Sequence, residues 1–414
     1  MTITPSLSSA IGSSTPSVFL SGGHGFGNLY TRAVLESYCN AAKVPIVKDV
    51  DESDVVWFSC CDPDDLSALK QTHRGAKGKP IILGGFDAFL TRAYFAWVDA
   101  MVIGEGWEFI STWGKSPKEA LELPCVATSP KDAVTPSNTI AWENIPILKP
   151  PGGKRLYYLG GRGCKGKCKF CATSWTQPYV NAPQGLIRKV IKYAESAGCK
   201  LSLVSNDSDP VVESPVVNAQ SVRVVDYLKE PKRYKSTMLH FGIEGWTEKC
   251  RANMSKPIRD DEIRALIRAL KHNKQKAEFF FILNYPGFEH GMIEAFAESV
   301  IEADADKSPT IHVKTTYFDP CPHTPWADYD ISGARWVDTK QVFKMLNSRN
   351  KRIRVFPTRS VARAAWRTCF HRATPEEALR LGKEPTETNC AEAMPLFVQR
   401  LEGLGLTHLL KGKR

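Results

Sequence analysis

Residues 160–175 read GGRGCKGKCKFCATSW, and this stretch decides how the rest of the chain is interpreted. It spaces Cys164, Cys168 and Cys171 as CxxxCxxC, with glycine and lysine between them. A structural zinc site and a fully ligated iron–sulfur cluster each take four protein ligands. Only three are present, which predicts a 4Fe–4S cluster with one iron left open. A zinc site completed by a distant ligand and free surface thiols are the alternatives.

The composition predicts a folded chain of two or three domains, because 414 residues exceed the usual size of one hydrophobic core. The sequence contains no run of about 18 apolar residues and no apolar signal core, so we expect a cytoplasmic protein without a membrane span. In that compartment, clustered cysteines bind metal more often than they form disulfides. The net charge of +11 is compatible with a polyanionic partner such as nucleic acid, or with a generic basic surface.

The first part of the chain alternates short apolar runs with helical stretches. Buried strands are predicted for SVFLSG, VPIVKDV, DVVWFSC, KPIILGG and DAMVIGEG. This alternation predicts an α/β fold with a small doubly wound parallel sheet, Rossmann-like, over residues 17–114. We expect a disordered leader over 1–16 and a proline-rich linker over 115–154.

From residue 155 the alternation resumes, with RLYYLGG, KLSLVSND, MLHFGIEG, EFFFILNYP and TIHVKTTYFDP as strands. It predicts a partial (β/α)6 TIM-like barrel over 155–334, with its chemistry at the carboxyl ends of the strands. Residues 335–414 are predicted to form a helical, basic C-terminal extension. Residues 347–372 there combine Arg and Lys with Phe356, Trp366 and Phe370, a pattern that suits phosphate contacts and base stacking. The alternative is a solvated helix face whose aromatic side chains pack on the barrel.

The cysteine loop and the segments after it resemble the radical S-adenosylmethionine (radical SAM) superfamily. The three cysteines match its signature, with the aromatic Phe170 before the last one. HFGIEGWTEKCRANMSKPIRDDEI (240–263), FFILNYPGFE (280–289) and FDPCPHTPW (318–326) resemble later strand ends of many members. Asn284 and His323 stand where glycine is commoner. The resemblance covers about 155–330.

The resemblance implies that S-adenosylmethionine binds at the open iron. Its reductive cleavage yields methionine and a 5′-deoxyadenosyl radical that abstracts hydrogen from a substrate. An electron donor such as flavodoxin or ferredoxin is also implied. The residues assigned to the cofactor are Phe170, Asn206, Asp207, Ser208, Glu244 and Asn284. Cys321, in a loop expected at the barrel mouth, is a candidate catalytic donor of a proton or hydrogen; the alternative is an ordinary buried cysteine.

The front domain resembles those of two branches of this superfamily. IILGGFDA and MVIGEGWEF resemble cobalamin-dependent members, although the D-x-H-x-x-G of base-off cobalamin sites is absent. VPIVKDVDESDVVWFSCCD resembles the methylthiotransferases, which place three further cysteines in this domain. Only Cys61, or its neighbour Cys60, stands at such a place, so we expect no second cluster.

Combined with the basic charge, these patterns favour a radical SAM enzyme that alters a nucleobase, or a group attached to one, in DNA or RNA. Cobalamin is not favoured in this interpretation. The alternative is a cobalamin-dependent radical SAM methyltransferase acting on a small molecule or peptide. A third, non-enzymatic hypothesis makes the cluster structural, or a redox sensor in a DNA-binding protein.

Overall fold

The computed structural model describes Leu7 and residues 15–23, 26–207, 212–302, 311–332, Val342, Leu346, 353–357, 360–385 and 390–412. Most of the expected leader and Ser208 lie outside the described residues. The chain divides into two compact units. Unit 1 comprises Met1–Leu148 with Cys369–Glu384, and unit 2 comprises Lys149–Thr368 with Pro385–Arg414.

A six-stranded sheet forms the centre of unit 1, in the order β2-β1-β3-β4-β5-β6. All pairs are parallel except that of β5 with β6. The strands are β1 (Val18–Gly22), β2 (Ile46–Val47), β3 (Val55–Ser59), β4 (Ile81–Gly84), β5 (Ala100–Val102) and β6 (Val126–Ala127). Every residue of β3 is buried, as in parallel strands covered on both faces.

The helices of unit 1 alternate with these strands. They are α1 (Phe26–Ala42), α2 (Leu66–Gly75), α3 (Phe86–Leu90), α4 (Trp107–Trp113) and α5 (Pro117–Leu121). The predicted parallel α/β sheet is confirmed. However, α5 and β6 lie in the segment that the sequence predicts to be a linker, so part of that segment is regular structure packed in unit 1.

Residues from the C-terminal part of the chain complete unit 1. The ring of Phe370 packs edge-on against Tyr94, with ring centroids 5.0 Å apart. The Nε2 atom of His371 lies 3.1 Å from Oδ1 of Asp87, and both side chains are almost wholly buried. Asp87 also accepts a hydrogen bond from the hydroxyl of Tyr94, which in turn contacts Cys60. Burial raises the pKa of the Cys60 thiol well above its usual range.

Unit 2 contains two parallel ladders and a short antiparallel pair. One ladder pairs β7 (Arg155–Leu159) with β10 (Lys200–Val204), and the other joins β11 (Met238–Glu244), β12 (Lys276–Leu283), β13 (Ile311–Tyr317) and β14 (Ile353–Pro357). The pair is β8 (Gly161–Arg162) with β9 (Val180–Asn181). An extended segment lies between the ladders, because Leu201 N–H donates to Val216 O at 2.8 Å and His240 N–H donates to Gln220 O at 2.8 Å.

The helices of unit 2 follow the strands in turn. They are α6 (Thr173–Thr176), α7 (Gln184–Ser196), α8 (Val224–Lys229), α9 (Glu248–Asn253), α10 (Asp260–His272), α11 (Gly291–Glu302) and α14 (Cys390–Leu404). Helix α12 (Val361–Arg372) begins in unit 2 and ends in unit 1, where α13 (Pro375–Leu381) follows it. None of the helices in the described ranges is long and apolar enough to cross a membrane.

The basic C-terminal stretch differs from the helical extension that the sequence predicts. Ile353–Pro357 form β14, which pairs with β13, because an alternating IRVFP segment suits a strand better than a helix. Trp366 is 1% exposed and Phe370 is fully buried, whereas Phe356 is 41% exposed. Two of the three aromatic side chains are therefore buried, but Phe370 packs within unit 1 rather than on the expected barrel.

Candidate iron–sulfur and cofactor site

The cysteine loop leaves β7 and is closed at its base by the β8–β9 pair, in which Gly161 faces Asn181 and Arg162 faces Val180. Gly163 follows this pair with φ of +68°, and a Cβ atom there would collide with the carbonyl oxygen of Pro178. A left-handed conformation without space for a side chain requires glycine. Gly163 thus shapes the loop that carries the cysteines.

The sulfurs of Cys164 and Cys168 lie next to Gly166. Its N–H points at Sγ of Cys164 over 3.3 Å, and a Cβ atom at this position would lie 3.4 Å from that sulfur and 3.7 Å from Sγ of Cys168. The charge of Cys171 acts on both of the other thiols. Across the described ranges, His, Cys, Asp and Glu side chains form no group of three placed to hold a single metal ion. A cluster takes one thiolate per iron, so three separated sulfurs fit it.

Two cations that are distant in sequence lie beside these sulfurs. Burial raises the pKa of Cys168 to about 11, and the charge of Lys256 acts against this rise. The Nη2 atom of Arg223 donates to Sγ of Cys164 over 3.7 Å. Positive charge stabilises thiolates, the form in which cysteine binds iron. The site therefore provides the charge that a bound cluster needs.

The loop lysines, by contrast, contact their own loop or its neighbour. Lys165 lies over the ring of Tyr179, with Nζ 4.7 Å from the centroid, and Lys167 lies 4.9 Å from the centroid of Trp175. Nζ of Lys167 also donates to Ser174 O at 2.6 Å. Their cation–π contacts hold the loop in shape. Arg223 and Lys256, rather than Lys165 and Lys167, are the cations that act on the sulfurs of Cys164 and Cys168.

The strand end after β10 reaches the cysteine loop through Asp207. Its carboxylate accepts from Nε of Arg223 at 2.7 Å, and the backbone N–H of Lys165 approaches it at 3.5 Å. Asn206 beside it is exposed. Asp207 therefore links the end of β10, which the family resemblance assigns to cofactor binding, to Arg223, which contacts Cys164.

Glu244 ends β11 and accepts from Nζ of Lys256 at 2.9 Å. Lys256 keeps a raised pKa: burial opposes its charge, but Glu244 and the thiols of Cys168 and Cys171 outweigh that penalty. A side chain at Gly242 would collide with both Glu244 and Lys256. Glycine at this position therefore makes room for the ion pair on the face of β11.

Two positions at which the resemblance leads us to expect glycine have a left-handed backbone conformation in this chain. Asn284 follows β12 with φ of +60°, and His323 has φ of +63° in the loop after β13. Asparagine and histidine are among the non-glycine residues that tolerate this region. Both positions keep the backbone shape that glycine favours, so the departures from the family pattern do not disrupt the turns.

Cys321 lies in the loop after β13, and this loop contacts the cysteine loop. The N–H of Trp326 donates to Lys169 O at 3.2 Å, and the N–H of Lys169 donates to Met254 O at 3.0 Å. Cys321 is partly exposed, and its carbonyl oxygen accepts from Thr324 at 2.7 Å. Cys321 and the half-buried Phe170 therefore belong to segments of the same region, but no contact assigns either of them a role.

Sequence reasoning missed two residues of this site as partners of the sulfurs. Lys256 stands in the segment HFGIEGWTEKCRANMSKPIRDDEI (240–263) that carries the family resemblance, so the sequence contained a signal for it. Arg223 stands in SVRVVD, which carries no pattern, and it lies 59 positions from Cys164. Only the fold brings these residues together.

In unit 1, glycines and a buried carboxylate form the strand ends. Gly85 follows β4 with φ of +102°, and a Cβ atom there would collide with Cys60 O. Between β1 and β3, where the strand order reverses, Asp65 accepts from Asn28 Nδ2 at 3.0 Å and from Cys61 N–H at 2.9 Å. Burial raises the pKa of Asp65. Such a reversal point is the usual ligand crevice of a doubly wound sheet.

Comparison with solved structures shows what this fold is similar to. Over 75% of each chain, it is similar to the radical S-adenosylmethionine methyltransferase TsrM from Kitasatospora setae, solved with tryptophan substrate and a SAM analogue, with TM-score 0.58 and 10% identity. It is also similar to the cobalamin-dependent S-adenosylmethionine radical enzyme OxsB with aqua-cobalamin and S-adenosylmethionine bound, with TM-score 0.51 and 14% identity. That likeness covers 68% of this chain and 52% of OxsB, so the chain spans about half of that protein.

Neither the scan of protein-family models nor the search of curated proteins finds a match. The structural likeness confirms a mixed α/β fold with a parallel-sheet unit before the cysteine loop. TsrM was solved with a small molecule, tryptophan, bound, and OxsB with aqua-cobalamin and S-adenosylmethionine bound.

Proposed function

We propose that this protein is a cobalamin-dependent radical SAM enzyme that transfers a methyl group to a small molecule. The observation that carries the proposal is the three-sulfur loop with Arg223 and Lys256 beside it. The likeness to TsrM supports the proposal. It covers 75% of this chain, which is more than the length of unit 2, so it includes part of unit 1 as well. The proposed barrel-like arrangement of unit 2 places this loop at the carboxyl ends of the strands.

Cys164, Cys168 and Cys171 would hold a 4Fe–4S cluster. When bound, it supplies one open iron for S-adenosylmethionine and the electron that activates it, which an external reductant such as flavodoxin or ferredoxin provides. The chain's own groups surround that position: Arg223 and Lys256 carry positive charge, and Glu244 and Asp207 carry negative charge. We assign the carboxylate of Glu244, Phe170 and the strand-end residues Asn206, Asp207, Ser208 and Asn284 to cofactor binding. Cys321 remains the candidate hydrogen donor.

Two features of unit 1 bear on the binding of cobalamin: the space at the end of β4 and the positions of the histidines. A Cβ atom at Gly84 would meet Val102 O at 3.9 Å and no other atom within 4 Å, so the end of β4 leaves room for close approach of a ligand. Among the described residues of unit 1, histidine occurs at His73 in α2 and at His371, which contacts Asp87. Neither of these two histidines stands at a strand end. Bound cobalamin would supply a carrier for the methyl group.

The proposal is tested on protein produced anaerobically with iron, sulfide and cobalamin. We expect about four irons per chain, a corrin absorbance that stays with the protein through gel filtration, and consumption of S-adenosylmethionine under reducing conditions. Absence of bound corrin would overturn the cobalamin part. No cleavage product from S-adenosylmethionine would overturn the enzymatic part and leave a structural or sensory cluster.

The substrate class needs a separate experiment. Candidate amino acids and a short oligonucleotide are incubated with the loaded enzyme and methyl-labelled S-adenosylmethionine. Label in a small molecule supports the proposal. Label in the oligonucleotide alone would restore the nucleic-acid hypothesis, and the substrate class proposed here would be wrong.

A further inference from the structure

The strands β11 to β13 present one face to the helices and the opposite face away from them. Residues of the helix-facing set are almost fully buried; they are Leu239, Phe241, Ile243, Ala277, Phe279, Phe281, Ile311 and Val313. Phe241 packs edge-on against Tyr227 of α8, and Phe281 packs against Phe296 of α11 with centroids 4.7 Å apart. Because side chains alternate along a strand, the residues between them lie on the other face.

The other face carries two rows of side chains in register across the four strands. The first, here called the polar row, consists of His240, Glu278, His312 and Arg354. The second, called the ring row, consists of Gly242, Phe280, Lys314 and Phe356. Two residues along a strand separate the rows, which is about 6.6 Å. Four neighbouring strands thus place charge and aromatic rings on one continuous surface.

This surface leads directly to the candidate cofactor site. The carboxylate of Glu244 and the ammonium of Lys256 occupy the space where Gly242, a member of the ring row, would carry a side chain. Lys256 in turn acts electrostatically on Cys168. A molecule on the ring row would therefore lie next to the groups that surround the proposed cluster.

Contacts within the rows fix the position of Lys314. Its Nζ atom lies 2.9 Å from Oε2 of Glu278, and 5.6 Å from the ring centroid of Phe280. Nε2 of His240 lies 3.3 Å from the same oxygen. Glu278 is only 13% exposed, whereas Lys314 keeps 31% of its surface. Glu278 is thus a positioning residue that holds the cation near the ring of Phe280.

The charges of this surface do not cancel. The two rows contain two basic side chains besides histidine, Lys314 and Arg354, and Glu278 is the single carboxylate in them. The rings of Phe280 and Phe356 flank Lys314 on either side in register. Phe356 also contacts the ring of His312, with centroids 5.1 Å apart. Excess positive charge between aromatic faces suits a ligand that combines an anionic group with a flat apolar part.

We propose that the polar and ring rows form the substrate-binding surface of unit 2 and select a small molecule that joins an anionic group to a flat apolar portion. Lys314 binds the anionic group, with Arg354 adding charge, and Phe280 and Phe356 contact the apolar portion. This inference rests on the proposed function for the identity of the surface as a substrate site. It depends on neither cobalamin nor turnover for its test.

Isothermal titration calorimetry of the full chain with its cluster reconstituted tests the selection. The probes are 1-naphthylacetate, 1-naphthylmethylamine and acetate, which vary charge and ring separately. We expect 1-naphthylacetate to bind at least about tenfold more tightly than either of the others. Binding of the amine with equal or greater affinity would overturn the proposal.

Variants then locate the site. Lys314→Met is expected to weaken 1-naphthylacetate binding by about tenfold or more, and Lys314→Arg is expected to retain it. Phe280→Leu should weaken binding of the naphthyl probe. The matched control is Lys189→Met on the exposed face of α7, which should change nothing. Equal effects of Lys314→Met and Lys189→Met, with unchanged thermal unfolding, would refute the assignment.

The outcome is separable from that of the proposed function. Selective binding of the anionic probe without cleavage of S-adenosylmethionine would support the surface and reject the enzyme. Cleavage of S-adenosylmethionine without selective binding would do the reverse.

Discussion

Arg223 contacts Cys164: its Nη2 atom lies 3.7 Å from the sulfur, while its Nε atom donates to Asp207 at 2.7 Å. The carboxylate of Asp207 is well buried, so it orients the guanidinium toward the cysteine loop. Hydrogen bonds and charge near the sulfurs are among the main determinants of a cluster's reduction potential. This arrangement gives Arg223 a role in tuning the proposed cluster.

Arg223→Gln should lower the reduction potential of the reconstituted cluster, because loss of a neighbouring positive charge disfavours the reduced state. We expect a shift on the order of 50 mV, close to a tenfold change in a one-electron equilibrium. Redox titration followed by electron paramagnetic resonance measures it. Arg223→Lys should shift it less, and Lys165→Gln, which removes a cation that lies over Tyr179, is the matched control. Equal shifts for Arg223→Gln and Lys165→Gln would contradict this role.

Replacement of Cys164, Cys168 or Cys171 by Ser should abolish cluster assembly, since each would supply one iron ligand. Iron and acid-labile sulfide are measured after reconstitution, with absorbance near the thiolate-to-iron charge-transfer region as a second readout. Cys321→Ser is the control, because it lies in the same region but outside the proposed ligand set. Full iron content in any of the three loop variants would disprove the ligand assignment.

His371→Ala should destabilise unit 1 by about 3 kcal/mol, because it leaves the buried carboxylate of Asp87 without its imidazole partner. Urea unfolding, followed by circular dichroism and tryptophan fluorescence, measures the loss. The exposed His73 on α2 is the matched control, and His73→Ala should change the free energy of unfolding by no more than about 0.5 kcal/mol. Similar curves for the two variants would show that this pair contributes little.

Gly85→Ala should cost about 2 kcal/mol or more, since its φ of +102° disfavours a side chain and a Cβ atom would collide with Cys60 O. Gly75→Ala, at the end of α2, has no atom within 4 Å of the added Cβ and should be neutral or slightly stabilising. Thermal and urea unfolding compare the two substitutions. If Gly85→Ala unfolds at the same midpoint as Gly75→Ala, the close approach of β4 to Cys60 is not required.

Much of the fold follows from local patterns. Apolar runs such as VVWFS and AEFFFIL became buried strands, and the amphipathic DDEIRALIRALKH became α10. The cysteine spacing predicted the loop, since the residues that form it are consecutive in the chain. The left-handed turns at Asn284 and His323 agree with the glycines that the resemblance leads us to expect there. In each case neighbours along the sequence carry the determining interaction.

The C-terminal residues show where local patterns are insufficient. The sequence predicted a helical, basic extension over residues 335–414, but β14 pairs with β13 and residues 369–384 complete unit 1. Burial of Trp366 and Phe370 depends on partners elsewhere in the chain, which a window of sequence does not contain. Tertiary packing outweighs local helix propensity at such positions.

The sequence by itself determined the parallel α/β strands and the three-cysteine loop, because period, turn residues and ligand spacing are properties of short segments. Tertiary structure alone decided which cations face the sulfurs, that His371 meets Asp87, and that His240, Glu278, His312 and Arg354 form one row. These groups come from separate strands and helices. Their proximity depends on strand order and register, which arise only when the whole chain buries its apolar surface at once.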